Sequence, residues 1–359
     1  MYGYAITRHG EPLEKITKPT PVPEGREVLV AVTHAGVCHS DLHLQEGGYD
    51  LGSRGSLDFA SRGMKLPFFP GHEVVGKVVS WGPDAEDAGL TKGDLRLVFP
   101  WIGCGTCESC RADEQNMCLN MISMGAHIDG GFATHVLVPD FRYLIDIEGI
   151  DPALAATYAC SGVTVYGGIK KFMPIRPKEM VVVVGAGGLG LNAVSMLQAV
   201  GHDQICVVDT SEDKLQLAKA QGALHTVLAG KDGAATTAAI SEACAGRVFY
   251  ILDTVNAGAT ASFAFDALSK GGKLVQIGLF GGELCVPLPL MPAKALTLQG
   301  SYVGGLADIR EVIALAKKGL LPPIPLTCRP LEDASDALDD LRGGRVSGRV
   351  ILVNDDAES

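Results

Sequence analysis

The chain has 359 residues, 47% hydrophobic and 20% charged, a length and balance that allow two soluble domains with separate cores. Its formal net charge of -11 disfavours nucleic acid or an anionic membrane surface as a partner, because both attract clustered Lys and Arg. No apolar run approaches the roughly 20 residues that span a bilayer and the start lacks a secretory signal pattern, so we expect a cytoplasmic protein.

The first part of the chain alternates short apolar runs with Gly and Pro. Such runs occupy residues 28–37, 73–82, 95–101 and 132–139. Because they follow one another closely, with little helical periodicity between them, they predict an antiparallel or barrel-like β domain.

One stretch in this part, GVCHSDLH at residues 36–43, is unusually rich in reactive side chains. Five of its eight residues can bind metal, move protons or accept hydrogen bonds. The stretch alone leaves two interpretations open. Cys38 could be a small buried hydrophobic residue with Ser40 or Asp41 as a helix N-cap, or the stretch could belong to a reaction centre.

Four cysteines then fall within fifteen residues, with the spacing C-x2-C-x2-C-x7-C. Four thiolates in one loop can close a tetrahedron around zinc and leave no open position, which predicts a structural site. An iron–sulfur cluster or unliganded thiols are the alternatives. A zinc finger that binds nucleic acid is disfavoured because the loop carries three acidic residues against one arginine. The cysteines are Cys104, Cys107, Cys110 and Cys118.

The pattern changes near Asp151. Residues 151–171 resemble a helix, and strand-like runs then alternate with helical ones, beginning with the continuous apolar run at 180–187. This alternation predicts a doubly wound parallel sheet from about residue 162 to 302. A helix at 308–319 and a terminal strand at 348–353 follow, and this strand could return to the first domain.

GAGGLG, at residues 185–190, lies between a predicted strand and a predicted helix, the context that a dinucleotide-binding GxGxxG motif requires. Gly185 permits the tight turn, Gly187 lets the backbone approach a pyrophosphate, and Gly190 allows close packing of helix on strand. Asp209 ends the next strand, where its carboxylate would accept from ribose hydroxyls and repel a 2′-phosphate. The motif therefore predicts NAD rather than NADP; a structural turn is the alternative.

A second metal site would have to be assembled from distant parts of the chain. Cys38, His72 in PGHEVVG, and Cys160 in YACSGVTVYGG provide two sulfurs and one nitrogen, the composition of a catalytic zinc site with a fourth position free. A lone histidine such as His72 is more often a core residue. The co-occurrence of all three with a dinucleotide motif favours the metal site.

Taken together, these motifs resemble the zinc-dependent medium-chain alcohol dehydrogenase family over essentially the whole chain. GVCHSDLH, PGHEVVG, the four-cysteine loop, CSGVTVYG, GAGGLG and the final SGRVILV occur in the family's order and at its usual intervals. The resemblance implies an α/β protein with a GroES-like β domain and a Rossmann doubly wound parallel-sheet domain. The corresponding ranges are 1–161 for the catalytic domain with its structural-zinc loop at 104–118, 162–302 for the NAD-binding domain, and 303–359 for the return to the catalytic domain.

The resemblance also implies roles for individual residues. The Cys38, His72 and Cys160 set would hold a catalytic zinc. Ser40 would take the proton from the alcohol, and His43 would pass it to solvent through the cofactor ribose. Asp41 resembles a carboxylate that orients the histidine ligand. The remaining matching positions are Glu73, which could approach the zinc transiently, and the cofactor-contacting residues His39, Thr164, Gly185, Gly187, Gly188, Leu189, Gly190, Asp209, Lys214 and Arg349.

The function implied is reversible hydride transfer between a primary or secondary alcohol and NAD, giving an aldehyde or ketone, with two zinc ions per chain. Carbonyl reduction as the physiological direction is an alternative, as is a zinc-independent quinone-type reductase of the same superfamily. Relatives of this type are usually homotetramers, with a homodimer as the alternative. We expect a small-molecule substrate and neither nucleic acid nor membrane as partner.

Two features near the substrate are left open by the resemblance. Trp101 precedes the four-cysteine loop and is a candidate for the substrate pocket, although a core tryptophan is an equal alternative. Residues 52–63 form a surplus of about a dozen residues relative to the family, and Phe59 within it is expected to be shielded from water. This segment could narrow the substrate entrance, form a solvated excursion, or contact a neighbouring subunit.

Overall fold

The structure is a computed structural model that describes residues 1–354. The strands of these residues are β1 (Tyr2–Ala5), β2 (Glu14–Thr17), β3 (Val28–Gly36), β4 (Gly48–Asp50), β5 (Ser56–Asp58), β6 (Glu73–Trp81), β7 (Leu95–Val98), β8 (Trp101–Ile102), β9 (Ile122–Ser123), β10 (His135–Val138), β11 (Leu144–Asp146), β12 (Val181–Val184), β13 (Ile205–Asp209), β14 (His225–Leu228), β15 (Tyr250–Asp253), β16 (Lys273–Gln276), β17 (Thr297–Gly300), β18 (Leu326–Pro330) and β19 (Arg349–Val353).

The longest helices lie in the second half of the chain. They are α1 (His39–Glu46), α2 (Glu108–Arg111), α3 (Pro152–Thr157), α4 (Val163–Lys170), α5 (Gly188–Ala199), α6 (Glu212–Gln221), α7 (Gly233–Ala243), α8 (Gly258–Ala267), α9 (Leu290–Lys294), α10 (Leu306–Lys317) and α11 (Ala334–Arg342). A π-helix, Tyr158–Gly162, joins α3 to α4. Within residues 1–354, no helix combines the length and apolar character needed to cross a membrane.

The larger β-sheet has the order β11-β7-β6-β3-β19-β18, with β10 paired to the first half of β3. All of its pairs are antiparallel except β18 with β19. The central strand β3 is almost entirely buried, as expected for a strand with neighbours on both edges. The strand β19 therefore joins the last residues of the chain to a sheet formed mostly by the first 146.

The second sheet contains six parallel strands in the order β14-β13-β12-β15-β16-β17. Its centre, β12, is a run of four valines, and each is buried because helices cover both faces. The chain proceeds from β12 to β13 and β14 on one side, then returns to β15 on the other. This reversal creates the crevice beside the carboxyl end of β12 in which doubly wound sheets bind ligands. The predicted α/β fold class is confirmed.

Local structure departs from the sequence patterns at two places. The polar stretch after β3 forms helix α1, whose first turn is capped by Asp41 through a 2.9 Å hydrogen bond from Cys38 N to Oδ2. The predicted helix at 151–171 is interrupted by the π-helix, so it forms two α-helices with a wider turn between them. Hydrophobic periodicity reports which residues are buried and carries no signal for a single wider turn.

The position of β19 leads to a stability prediction. Ile351 is fully buried between β3 and β18, so Ile351→Ala is expected to lower the free energy of unfolding by about 2–5 kcal/mol. Thr327→Ala, an exposed position on the adjacent β18, is the matched control and should change it by less than about 0.5 kcal/mol. Denaturant titration measures both values, and equal effects would contradict the assignment of β19 to the core.

Candidate functional site

Cys38, His72 and Cys160 come from three separate segments and meet in the interior. Cys38 lies between β3 and α1, His72 immediately precedes β6, and Cys160 lies in the π-helix. Their ligand atoms all lie within 4.8 Å of one another, and all three side chains are buried. π-Helical turns are rare and often occur at functional sites. Two thiols and an imidazole match the three-ligand composition of a catalytic zinc site.

Asp41 fixes the orientation of His72. Its Oδ1 lies 3.3 Å from His72 Nδ1 and accepts a 3.1 Å hydrogen bond from Gly71 N, while Oδ2 accepts from Cys38 N. The proton on Nδ1 therefore faces the carboxylate, and the buried Nε2 has no hydrogen-bond partner among the described residues. A bare imidazole nitrogen beside two thiols is chemically suited to a metal ion and poorly suited to an empty core. The donor set thus fits zinc.

The two thiols of this set have opposite acidities. A hydrogen bond from Cys160 lowers the pKa of Cys38 well below its usual value, and the Arg349 charge acts in the same direction against burial. The same contact, with burial, raises the pKa of Cys160 well above its usual value. Two close thiols share one proton readily. A bound cation would favour loss of the second, because metal ligands must be deprotonated.

Glu73 and Arg349 form a buried ion pair beside the metal-ligand set. Arg349 Nε donates to Glu73 Oε2 at 2.9 Å, and Nη2 contacts Oε1. Glu73 Oε1 also accepts a 3.1 Å hydrogen bond from Ser161 N, next to Cys160. Burial raises the pKa of Glu73 although the Arg349 charge opposes this shift. Gly36 is required here, since an added Cβ would lie 2.1 Å from Glu73 Oε2.

The four cysteines predicted as a structural site also converge. The sulfurs of Cys104, Cys107, Cys110 and Cys118 all lie within 4.8 Å of one another, and Cys104 Sγ is 4.0 Å from Cys110 Sγ. The edge of a tetrahedron with Zn–S bonds of about 2.3 Å is roughly 3.8 Å, so the spacing fits zinc. The hydroxyl and backbone of Thr106 help to lower the pKa of Cys104 to about 5, which favours the thiolate that a metal needs.

The GAGGLG loop forms the floor of a cavity of about 520 Å³ between the two sheets. Gly185 has a φ of 97°, which favours glycine, and a Cβ on Gly190 would lie 1.8 Å from Gly185 O. Gly187 is the N-cap residue of α5. A Cβ added to Gly187 would meet no atom within 4 Å, so the backbone there is open to a ligand. The cavity is also lined by Gly188 and Leu189. Helix N-termini with exposed N–H groups bind phosphates.

Both walls of the cavity carry predicted cofactor residues. Asp209 ends β13, accepts hydrogen bonds from Ala186 N at 2.7 Å and Ser211 N at 2.9 Å, and lines the cavity with Lys214. His39, at the start of α1, and Arg349, on β19, line it from the opposite side. Burial lowers the pKa of His39 to about 4, so its ring is neutral at pH 7. The buried Oγ1 of Thr164 has no hydrogen-bond partner among the described residues, which suits a polar ligand.

Ser40 and His43 lie on the first two turns of α1. Ser40 Oγ is 3.8 Å from Cys38 Sγ, which brings the hydroxyl close to the ligand set. His43 Nδ1 lies 3.7 Å from the half-exposed Glu46 carboxylate, and its buried Nε2 has no partner in the described part of the chain. Burial lowers the pKa of His43, so the neutral ring can accept a proton near pH 7.

Trp101 lies on strand β8 with its ring 5.6 Å from that of His72. Its indole N–H donates to Ala159 O at 3.2 Å, so it is both a core residue and a neighbour of the ligand set. The sequence analysis missed Tyr302, whose ring is 5.9 Å from Trp101, and Tyr49 and Phe280 nearby. Tyr49 and Phe280 each adjoin a pair of glycines, and Tyr302 lies two residues before one, a faint signal of an aromatic side chain at a backbone turn.

Two family models match separate ranges of the chain. Residues 24–149 match the family described as "Alcohol dehydrogenase GroES-like domain", and residues 188–318 match "Zinc-binding dehydrogenase". An NAD-dependent alcohol dehydrogenase of Sulfurisphaera tokodaii is 35% identical over 356 residues, covering 98% of this chain and 100% of that protein. The D-arabinose 1-dehydrogenase (NADP(+)) of Saccharolobus solfataricus is 30% identical over 97% of this chain and 96% of its own length.

Among solved structures, the alcohol dehydrogenase of the hyperthermophilic archaeon Aeropyrum pernix superposes with a TM-score of 0.89 at 32% identity. The match covers 98% of this chain and 100% of that one. Both the fold and the sequence therefore match over nearly the whole length.

The two cysteine sets lead to a prediction about metal. Elemental analysis of protein purified without added metal is expected to find two zinc ions per chain. Cys110→Ser should lower the melting temperature or disturb assembly, because its site closes a loop. Cys38→Ser should remove one zinc and leave the fold largely intact, as judged by circular dichroism. If the two variants lost the same metal and the same stability, the division into a structural and a catalytic site would be wrong.

Proposed function

The chain belongs to the zinc-dependent medium-chain alcohol dehydrogenase family, and we propose that it transfers hydride reversibly between a primary or secondary alcohol and NAD. One observation carries the proposal. Cys38 and His39 are consecutive, yet Cys38 belongs to the buried metal-ligand set while His39 lines the dinucleotide cavity. A substrate held at the first would therefore lie next to a cofactor held in the second, as hydride transfer requires.

The bound cofactors and the side chains supply different parts of the reaction. Zinc supplies a Lewis acid that lowers the pKa of an alcohol hydroxyl, and NAD supplies the hydride acceptor. We assign the catalytic ligands to Cys38, His72 and Cys160, and the structural ones to the four cysteines of residues 104–118. Asp41 keeps His72 in the tautomer whose Nε2 is free, which also raises the basicity of the ring.

Proton transfer is assigned to Ser40 and His43. Ser40 Oγ, next to Cys38, accepts the proton of the alcohol as it gives up its own hydroxyl hydrogen, and His43 receives a proton from this relay and releases it to solvent beside Glu46. His43 can do so because burial lowers its pKa and keeps the ring neutral. Carbonyl reduction would use the same residues in reverse order, as microscopic reversibility demands.

The remaining assigned residues hold the cofactor in place. Gly185, Gly187, Gly188, Leu189 and Gly190 would cradle the pyrophosphate at the start of α5. The ribose would lie against Asp209 and Lys214, and Thr164, His39 and Arg349 would complete the contacts from the opposite wall. Arg349 is held by Glu73, so the ion pair would position a cofactor contact and a ligand segment together.

We also propose the domain division 1–161, 162–302 and 303–359. It is supported by the two sheets, since β12 to β17 all lie between residues 181 and 300, while β18 and β19 join β3. Ligand sites occur preferentially at the interface between two domains. We therefore assign the substrate to the metal-ligand set and the cofactor to the GAGGLG loop.

A homotetramer is proposed as the assembly, with a homodimer as the alternative. Two separate surfaces support it. β17 is an edge strand of the parallel sheet, Leu288 in the segment that precedes it in the chain is 77% exposed, and Met117 and Leu119 are exposed at the end of the four-cysteine loop. Edge strands and exposed apolar side chains are common at interfaces between copies. We propose a cytoplasmic location because none of the ten cysteines, all within the described residues, forms a disulfide, and a reducing compartment keeps cysteines in that state.

The central test is oxidation of a panel of primary and secondary alcohols with NAD, followed by NADH absorbance. Ser40→Ala is expected to lower kcat about 10²- to 10⁴-fold, because it removes a group that moves a proton in the transition state. Ser40→Thr keeps a hydroxyl and should recover much of the rate, and Ser262→Ala, an exposed serine on α8, is the control. Full activity in Ser40→Ala would exclude the assigned relay.

Cofactor choice gives a second test. The wild type should prefer NAD, because Asp209 would meet a 2′-phosphate with like charge. Asp209→Asn retains a carbonyl acceptor for one backbone N–H and should reduce the NAD over NADP ratio of kcat/KM by about 10- to 100-fold, since a like-charge contact costs several kcal/mol. Asp213→Asn, exposed on α6, is the control. Equal use of both cofactors by the wild type would contradict this assignment.

A further inference from the structure

The surplus segment after α1 forms an ordered structure. β4 and β5 pair as a hairpin in the register Tyr49↔Leu57, short 3₁₀ turns follow each strand, and Phe59 N donates to Gly47 O at 3.0 Å. We name residues 48–63 the bridging hairpin. It makes contacts at two ends, with the metal-ligand side of the cleft at one end and with the parallel sheet at the other.

The inner end is a row of aromatic rings. Phe59 is 3% exposed although both of its neighbours in sequence are exposed. Its ring packs edge-on against Tyr49 with centroids 4.8 Å apart, and Tyr49 packs edge-on against His43 at 5.1 Å. Edge-to-face rings at these distances attract each other beyond simple burial. Phe59 therefore holds Tyr49 against a residue of the proposed proton relay.

Tyr49 packs against the helix that begins next to the metal-ligand set. Its ring contacts His43, which lies one turn along α1 from Ser40, whose Oγ is 3.8 Å from Cys38 Sγ. Burial raises the pKa of Tyr49 well above its usual value. Trp101 packs against both His72 and Tyr302, with ring centroids 5.6 Å and 5.9 Å apart. Aromatic rings therefore contact both a residue of the proposed relay and a residue of the metal-ligand set.

The outer end of the hairpin reaches the parallel sheet. Gly282 N donates to Asp50 O at 3.1 Å, and Ser53 Oγ donates to Glu283 Oε2 at 2.6 Å. Gly281, with a φ of 103°, permits this approach, since an added Cβ would lie 2.7 Å from Asp50 O. Phe280, on the same loop, packs against His39 at 4.9 Å, so the hairpin and this ring pair connect the two sheets side by side.

We propose that the bridging hairpin is a specificity-determining wall of the alcohol pocket, positioned by Phe59 at its inner end and by the Ser53–Glu283 contact at its outer end. The proposal rests on the proposed function and extends it to substrate class: slender, unbranched alcohols fit beside Tyr49, and branched or aromatic ones meet its ring. Phe59 and Ser53 are positioning residues, since each acts through the placement of Tyr49.

Selectivity is the first measurement. In Phe59→Ala the ratio of kcat/KM for benzyl alcohol to that for ethanol is expected to rise about tenfold, because a wall that can move admits a larger group. Phe59→Leu retains an apolar side chain and should restore most of the wild-type ratio. Zinc content and the Kd for NAD should stay unchanged. An unchanged ratio in folded Phe59→Ala, or an equal loss of activity toward all alcohols, would overturn the proposal.

Two variants at exposed positions test the outer contact. Neither removes a side chain from the core, so both should fold. Ser53→Ala removes the hydrogen bond to Glu283, whereas Ser56→Ala changes an exposed serine of the same hairpin whose side chain makes no hydrogen bond to the parallel sheet within residues 1–354. In Ser53→Ala the ratio of kcat/KM for benzyl alcohol to that for ethanol should rise, as in Phe59→Ala, but by less, since an exposed hydrogen bond contributes little. Identical ratios in Ser53→Ala and Ser56→Ala would overturn the role of the outer contact.

Amide hydrogen exchange measures the same contact independently of catalytic activity. The amide of Gly282 is protected by Asp50 O, so peptides covering residues 280–284 should exchange about threefold faster in Ser53→Ala than in Ser56→Ala. Equal exchange in the two variants counts against the bridge. Failure of the proposed function would look different: the wild type would oxidise no alcohol in the panel, while the difference in exchange between the two variants would remain.

Discussion

Two buried carboxylates, Asp41 and Glu73, determine where the three ligand segments meet. Asp41 receives hydrogen bonds from Cys38 N and Gly71 N and faces His72, while Glu73 receives them from Ser161 N and Arg349. Both are fully buried, and leaving one such charge without its partner costs about 3–5 kcal/mol. The backbone must therefore bring these donors together, and the ligand side chains, each adjacent to a donor, come with them.

A buried carboxylate also fixes the crevice on the parallel-sheet side of the site. Asp253, at the end of β15, accepts from Val255 N, Asn256 N and Thr260 Oγ1, and burial raises its pKa to about 6. Asn256, held at a φ of 56°, donates to Gly278 O. The loop that carries Phe280 is thus fixed by the parallel sheet before it contacts the bridging hairpin, so both faces of the cleft have well-defined positions.

Local sequence was sufficient where the relevant atoms are close along the chain. The GAGGLG loop and the four cysteines were identified from spacing alone, because turn, helix start and ligands lie within a few residues. The Cys38, His72 and Cys160 set was favoured only by its co-occurrence with the dinucleotide motif, and the family resemblance then supplied its catalytic role, since long-range contacts such as Arg349 with Glu73 leave no local pattern. Tyr49, Phe280 and Tyr302 were missed for the same reason. Phe59 was correctly expected to be shielded, but its partner could not be inferred, because an apolar residue in a polar stretch does not indicate which surface covers it.

The late position of β19 affects how the protein is made. Synthesis proceeds from the N-terminus, so the parallel sheet, complete at residue 300, leaves the ribosome before the sheet that holds Cys38 has gained its strand at 349–353. Until then Glu73 lacks Arg349, its buried cationic partner. In the nascent chain β3 can already pair with β6 and β10, but the sheet that holds Cys38 lacks β19 until residues 349–353 have been made.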